Sequence, residues 1–281
     1  MFKVALRNSF RRLGVFSTRK LSVKSNAFPR QGLNKFRFAG LTALTIGSMY
    51  YASNVIHNDS SVQDSAESVE VDSSVDPFPF DLKKNENVDT DYELLGFGVR
   101  SVTFVGFKVY AVGVYIAKQD REKAKNIMSK YIGLDQHLHD PDQSTRIVND
   151  LLENGVKFAV RICPVRNTDY NHMKDGFIKS ILAHPKAKEF RDEVGQGLQE
   201  LRTIFQLRKG TVPKNHVMLL QVLEGGKLNI SYQNTSNGKC IDLGTVNEPL
   251  VSNLLLLQYL SGKKPLSAPL RDSCINGFLS L

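Results

Sequence analysis

Few side chains in this sequence have the types and spacing that chemistry requires. Cysteine occurs three times, at Cys163, Cys240 and Cys274, with no C-x-x-C pair and no C-x-x-C-H motif. A disulfide framework, a zinc site and covalent haem attachment are therefore not indicated. The G-x-G at Gly96-Phe97-Gly98 lacks the third glycine of a dinucleotide loop and runs into a strand pattern instead of a helix, so it is not a phosphate cradle. In the stretch after Asp169, a helical reading puts Tyr170, Met173 or Lys174, and Phe177 on one face, which aims Met173 with Tyr170 and His172 elsewhere. Tyr110 and Tyr115 have opposite parity along a strand, so only one of them reaches any given face, and core packing of both rings is the alternative.

The elements that must position these residues begin after Asp91. Runs rich in Val, Phe and Tyr at 93–98, 101–107 and 108–117 read as consecutive strands broken at Gly98 and Gly106. Helices are expected at 120–131 and 144–153, a strand at 156–162, and two longer helices at 169–183 and 185–207. Strands follow at 216–223, 227–232 and 238–243, and helices at 247–260 and 268–279 close the chain. Strands and helices come in blocks without strict alternation, which favours an α+β architecture, an antiparallel sheet covered by helices.

What precedes this domain has a different character. Residues 1–37 carry ten Lys or Arg, and no acid occurs before Asp59. Phe2, Leu6, Phe10 and Leu13 recur at helical spacing beside Lys3, Arg7 and Arg11, the pattern of a mitochondrial presequence; a cytosolic basic tail has no need of the apolar stripe. Residues 38–56 run for 19 positions without a charge. That is close to the roughly 20 residues that span a bilayer. They are expected to anchor the chain in the mitochondrial inner membrane, an extended presequence being the alternative. With Arg30, Lys35 and Arg37 before the span and acids after it, the domain is expected to face the intermembrane space, with the matrix as the other placement. Residues 57–80 hold six acids, six serines and no base, and read as a solvated tether to a domain at 81–281.

Location also explains the net charge of +9. Beyond position 37 there are 27 basic against 28 acidic residues, so the body is neutral and offers no clustered basic surface for nucleic acid.

Three stretches carry a family resemblance: LLGFGVRSVTFVGFKVYAVGVYIAK, NTDYNHMKDGF and LLLLQYLSGKKPLSAPL. Together they resemble chalcone isomerase and its non-plant relatives over about residues 92–281. With the presequence and anchor in front, the chain is most similar to the fungal mitochondrial branch called altered inheritance of mitochondria proteins. The resemblance implies an open-faced sandwich with an apolar cleft between sheet and helices. In the plant enzymes an Arg and a hydroxyl network there assist an intramolecular ring closure. The Arg corresponds to Arg100 and the helix-borne Tyr to Tyr170. A strand Thr is replaced by Tyr110, a helix Asn by Phe177 and a late Thr by Tyr259. Each lost donor to a developing oxyanion costs about two to three orders of magnitude in rate. An intramolecular lyase is therefore not the leading expectation.

What the resemblance leaves is a guanidinium at the mouth of an apolar cavity, which calls for an anion, either a ligand carboxylate or an internal Asp or Glu. Haem is ranked first on the branch resemblance, its propionates meeting Arg100. A fatty acid comes next, because plastid relatives hold a carboxylate with an Arg and a Tyr, as Arg100 and Tyr110 could. A structural or assembly protein with a cleft collapsed by Phe177 and Tyr259 is the third reading. Candidate axial ligands are Met173, His172, Cys163 of a Cys-Pro pair, and His137 and His139 in a loop at 133–144. A surface His, a core Met or a buried strand-end Cys is the ordinary alternative for each.

Overall fold

The computed structural model describes residues 67–102 and 106–281. The expected presequence, the anchor at 38–56 and the tether as far as 66 lie outside the described residues.

Three two-residue strands open the described chain: β1 (Ser68–Val69), β2 (Phe78–Pro79) and β3 (Asp81–Leu82). A long hairpin follows, β4 (Tyr92–Val102) and β5 (Phe107–Ala117), then helices α1 (Arg121–Met128), α2 (Leu134–His139) and α3 (Pro141–Glu153). Next come β6 (Phe158–Pro164), β7 (Thr168–Asp169), α4 (Tyr170–Ala183), α5 (Lys186–Glu189) and α6 (Arg191–Gln206). The chain finishes with β8 (Thr211–Val212), β9 (Val217–Val222), β10 (Leu228–Gln233), β11 (Cys240–Val246), α7 (Pro249–Leu260) and α8 (Ala268–Leu279). Seven strands form one sheet in the order β11-β10-β9-β6-β5-β4-β3, every pair antiparallel. The expected α+β class is what the chain adopts.

Alternation along the strands divides the sheet into two faces. Tyr110, Val112, Val114 and Ile116 of β5 join Met218 and Leu220 of β9 in the main core under the helices. At the centre of that core lies α7, apolar on all sides, with Leu254 to Leu257 and Tyr259 all buried. Such a helix has no solvent face to offer. Ala111 of β5 and Cys163 of β6 point the other way, into a smaller cluster with Val75 and Phe78.

The two strands expected at 93–98 and 101–107 are one strand, β4, followed by the start of β5. Glycine misleads here because its absent side chain serves packing. A Cβ at Gly98 would lie 2.5 Å from the backbone nitrogen of Leu270, and one at Gly96 2.5 Å from that of Cys274. The two glycines let α8 rest directly on β4.

Residues 67–80 are not a free tether. Phe78 is 0% exposed and Val75 is buried, and Asp72 takes a salt bridge of 2.6 Å from Lys108. The acid-and-serine composition hides four apolar residues, Val69, Val71, Val75 and Phe78, that pack on the outer face of the sheet, and the packed unit therefore begins before position 81. The expected loop holding His137 and His139 is also a helix, α2, entered from Gly133 at φ 76° and pinned by buried Leu138. The single helix expected over 185–207 is broken at Phe190, where φ −110° and ψ 52° leave the helical region.

Candidate functional site

Register decides what stands beside Arg100. In the β4–β5 ladder it is paired with Tyr110, so both side chains project from the helix-covered face. The Arg100 Nη1 donates to the Tyr110 hydroxyl at 2.9 Å, and the guanidinium carbon lies 5.5 Å from the centre of the tyrosine ring. Behind Tyr110, its hydroxyl oxygen is 2.7 Å from that of Tyr259 on α7. Burial pushes the Tyr259 phenol well above its usual pKa, so its proton stays in place. Burial also opposes the charge on Arg100, but the contacts with Tyr110 and Tyr259 more than offset it and the guanidinium remains charged.

One register step beyond Arg100 the ladder is interrupted, Ser101 facing Lys108. A bulge of this kind re-aims a residue, and Val109 lines the cleft along with Tyr110. The opposite wall is α4, whose Met173, Gly176 and Phe177 recur at the three- and four-residue spacing of one helix face. Pro164 of β6, the 166–169 connection and Thr211 of β8 close the far side. The enclosed volume is about 750 Å³, within the roughly 300–1,000 Å³ typical of small-molecule pockets.

The cleft is cationic at its polar points. Besides Arg100 it holds Lys179 and Arg166, the latter stacked on Phe107 at 3.6 Å from the ring centre. Its one lining carboxylate, Asp169, caps α4 by accepting from the His172 backbone N–H and also binds the His172 ring. Among the described residues no carboxylate lies within 4.0 Å of the Arg100 guanidinium. An ion pair among the described residues therefore does not account for the charge.

Of the residues the sequence singled out, Arg100, Tyr110, Met173, Phe177 and His172 line the cleft. Tyr259 does not; it stands one layer behind and orients Tyr110. Tyr170 does not either. As the first residue of α4 it turns its ring to Tyr232 at 5.5 Å and Phe205 at 6.4 Å, and Tyr232 in turn hydrogen-bonds His216. Cys163 is fully buried on the opposite face of the sheet, where burial raises its thiol pKa to about 11. His137 is half-buried and His139 exposed on α2, their Nδ1 atoms bonded to the carbonyls of Gly133 and Asp135. Nothing in the sequence marked Arg166, Lys179 or Phe107, because each reaches the cleft only through the way β6, α4 and the hairpin converge.

A twisted antiparallel sheet with helices over one face, and an arginine–tyrosine pair in the cleft between the two layers, defines a chalcone isomerase-like protein. The chain belongs to that family, whose profile, described as chalcone isomerase like, matches residues 90–275. Within it the chain falls in the fungal mitochondrial branch. It is 51% identical over 255 residues to altered inheritance of mitochondria protein 18, mitochondrial, of Debaryomyces hansenii, covering 86% of each chain. The protein of the same name from Kluyveromyces lactis is 41% identical, covering 87% of this chain and 84% of its own. That from Saccharomyces cerevisiae is 33% identical, covering 92% and 88%. Among solved structures, an Arabidopsis thaliana fatty-acid binding protein superposes with a TM-score of 0.54 at 22% identity, covering 75% of this chain and 98% of that one. That likeness establishes the fold.

Proposed function

We propose that this protein binds, in the α4–hairpin cleft of a mitochondrial domain, an apolar small molecule whose carboxylate pairs with Arg100, and that it does not isomerise it. One observation carries the reading: a half-buried guanidinium, oriented by Tyr110 and Tyr259, faces an apolar cavity without a carboxylate partner among the described residues. A carboxylate accepting from Arg100 would complete the pair with the bidentate geometry that guanidinium favours. A long-chain fatty acid is the first occupant. The fatty-acid binding of the Arabidopsis neighbour supports it, and so does an open cleft with Phe177 as wall, which argues against a collapsed scaffold. Residues 38–56 would hold the domain at the inner membrane, facing the intermembrane space.

The isomerase reading loses a further donor in three dimensions. Tyr170 is turned to Tyr232, and Phe177 occupies the wall where a donor would be needed. Purified protein is expected to form no flavanone from a chalcone. Stereoselective product that disappears in Arg100→Ala would overturn this part.

Haem is retained as a second occupant for one reason. His172 lines the cleft with its Nδ1 held by Asp169, which leaves Nε2 as the available ligand nitrogen, and Met173 lines the same cleft. Arg100, Arg166 and Lys179 would meet the propionates. The other axial candidates, Cys163, His137 and His139, do not line the cleft, which supports ranking the fatty acid ahead.

The test uses a fluorescent long-chain fatty acid and, separately, haemin. Arg100→Ala is expected to weaken fatty-acid binding by about 1.5–3 kcal/mol, the scale of a hydrogen bond to a charged group. Arg100→Lys should recover part of this, since an ammonium keeps the charge without the fork. Unchanged affinity in a folded Arg100→Ala protein would refute the reading. A Soret band in the purified protein that shifts in His172→Ala or Met173→Ala would instead establish the second occupant.

A further inference from the structure

On the outer face of the sheet, away from the helices, a second cavity of about 540 Å³ lies between the 81–88 segment and strands β6, β9, β10 and β11. Its deep charge is Arg161 of β6. Arg161 is paired with Gly113 on one side and Leu219 on the other, and Leu219 with Ser231, so Arg161, Leu219 and Ser231 form one row across the cavity floor. Gly113 contributes no side chain to that row, and the ring of Phe78 fills the space, 2.9 Å from where a Cβ would stand. The Arg161 guanidinium carbon rests 5.0 Å from the centre of that ring.

Stacking covers one face of the guanidinium without neutralising it. Among the described residues no carboxylate lies within 4.0 Å of Arg161. Its Nε is shielded from solvent and has no hydrogen-bond partner. Asp81, in the same cavity, is committed to Lys118 at 2.8 Å and Lys83 at 3.4 Å. A permanently charged group with an orphan buried N–H is a costly arrangement, and native proteins rarely keep one without a purpose. Unlike the Arg100 cleft, this cavity presents polar side chains around its charge, Ser231, Gln233 and Asn87 among them.

We propose that the outer cavity is a second binding site, separate from the Arg100 cleft, that takes a small polar anion by a carboxylate or phosphate group in the fork of Arg161. Phe78, whose ring lies against the guanidinium, is the positioning residue. Asp81 and the exposed Glu86 at the rim disfavour large polyanions, which limits the ligand to a small, weakly charged species.

The experiment titrates the full-length protein with inorganic phosphate and, separately, with acetate, at ionic strength held constant by sodium chloride, and reads the thermal midpoint. A saturable rise of roughly 5–10 °C at a hundredfold excess over Kd is expected for one of the two anions. It should persist in Arg100→Ala and vanish in Arg161→Gln, with Arg161→Lys giving a smaller rise. A response to phosphate alone makes the group a phosphate, and a response to acetate alone a carboxylate. No rise with either anion, or a rise that survives in Arg161→Gln, overturns the proposal. Should Arg161→Gln fail to fold, Arg161→Lys carries the decision: it must bind the anion less tightly than the native protein, and equal affinity refutes the site. Because the Arg100 background is tested in parallel, failure here leaves the cleft reading standing and failure there leaves this one standing.

Discussion

The two faces of the sheet solve the same problem differently. On the inner face five long helices, α3, α4, α6, α7 and α8, bury a continuous core, beside a largely apolar cleft that holds Arg100, the cations Arg166 and Lys179 and a few polar groups such as Asp169 and His172. On the outer face there is no helix among the described residues; Val75 and Phe78 from a short segment cover part of the sheet, and the cavity beside them is polar. Each face keeps one arginine without a carboxylate partner among the described residues, and each arginine touches an aromatic ring, Arg100 on Tyr110 and Arg161 on Phe78. The difference lies in what surrounds the charge. A hydroxyl chain backs Arg100 from within the core, whereas the buried ring of Phe78 backs Arg161.

The sharpest test of the inner face is its tightest contact. A Cβ at Gly277 of α8 would fall 1.9 Å from the Leu95 carbonyl oxygen, so Gly277→Ala is expected to cost more than about 4 kcal/mol or to abolish folding. Gly195 in α6 has open space around it, and Gly195→Ala should stabilise by about 0.5–1 kcal/mol in urea unfolding. If both substitutions behave alike, the close docking of α8 on β4 is wrong.

For the outer face the corresponding change is Phe78→Ala, expected to destabilise by about 3–5 kcal/mol because the ring is fully buried. A change within about 0.5 kcal/mol would return this segment to the status of a solvated tether.

Smaller effects separate the two arginines. Tyr259→Phe removes the hydroxyl behind Tyr110 and should weaken ligand binding at Arg100 by about 1 kcal/mol, leaving any anion response at Arg161 unchanged. Fluorescence titration of the cleft and thermal shift for the outer cavity measure the two independently.

The smallest effect concerns pH. Burial lowers the pKa of His216 below its ordinary 6.5, and burial, with Lys186 nearby, does the same for His184. The unfolded chain then takes up protons that the folded chain resists, so stability is intact above about 6.5 and falls as pH drops below it. Urea midpoints at pH 7.5 and 5.5 should show this loss, reduced in His216→Gln. A midpoint that rises on acidification would contradict it.

Periodicity and composition by themselves determined most of the element types and their order, the α+β class and, among the closing helices, the one expected at 247–260. The motif order around Arg100, Tyr110 and the closing LLLLQYLSGKKPLSAPL stretch determined the family. These are local properties: alternation and helical spacing fix which residues share a face of their own element. What no local pattern fixes is which face meets which neighbour. Tyr170 has the helical spacing of Met173 and Phe177, yet it sits at the first helical position, where Tyr232 and Phe205 capture its ring. Cys163 and Pro164 are adjacent in sequence, yet strand parity sends one to the outer cluster and the other to the cleft. Phe78 looks like an isolated apolar residue in an acidic, serine-rich stretch until Gly113, thirty-five positions later, leaves a space for it on the sheet. Arg100 and Arg161, without a carboxylate partner among the described residues, belong to this second kind of information, because whether a charge has a partner depends on side chains that only the tertiary structure brings within reach.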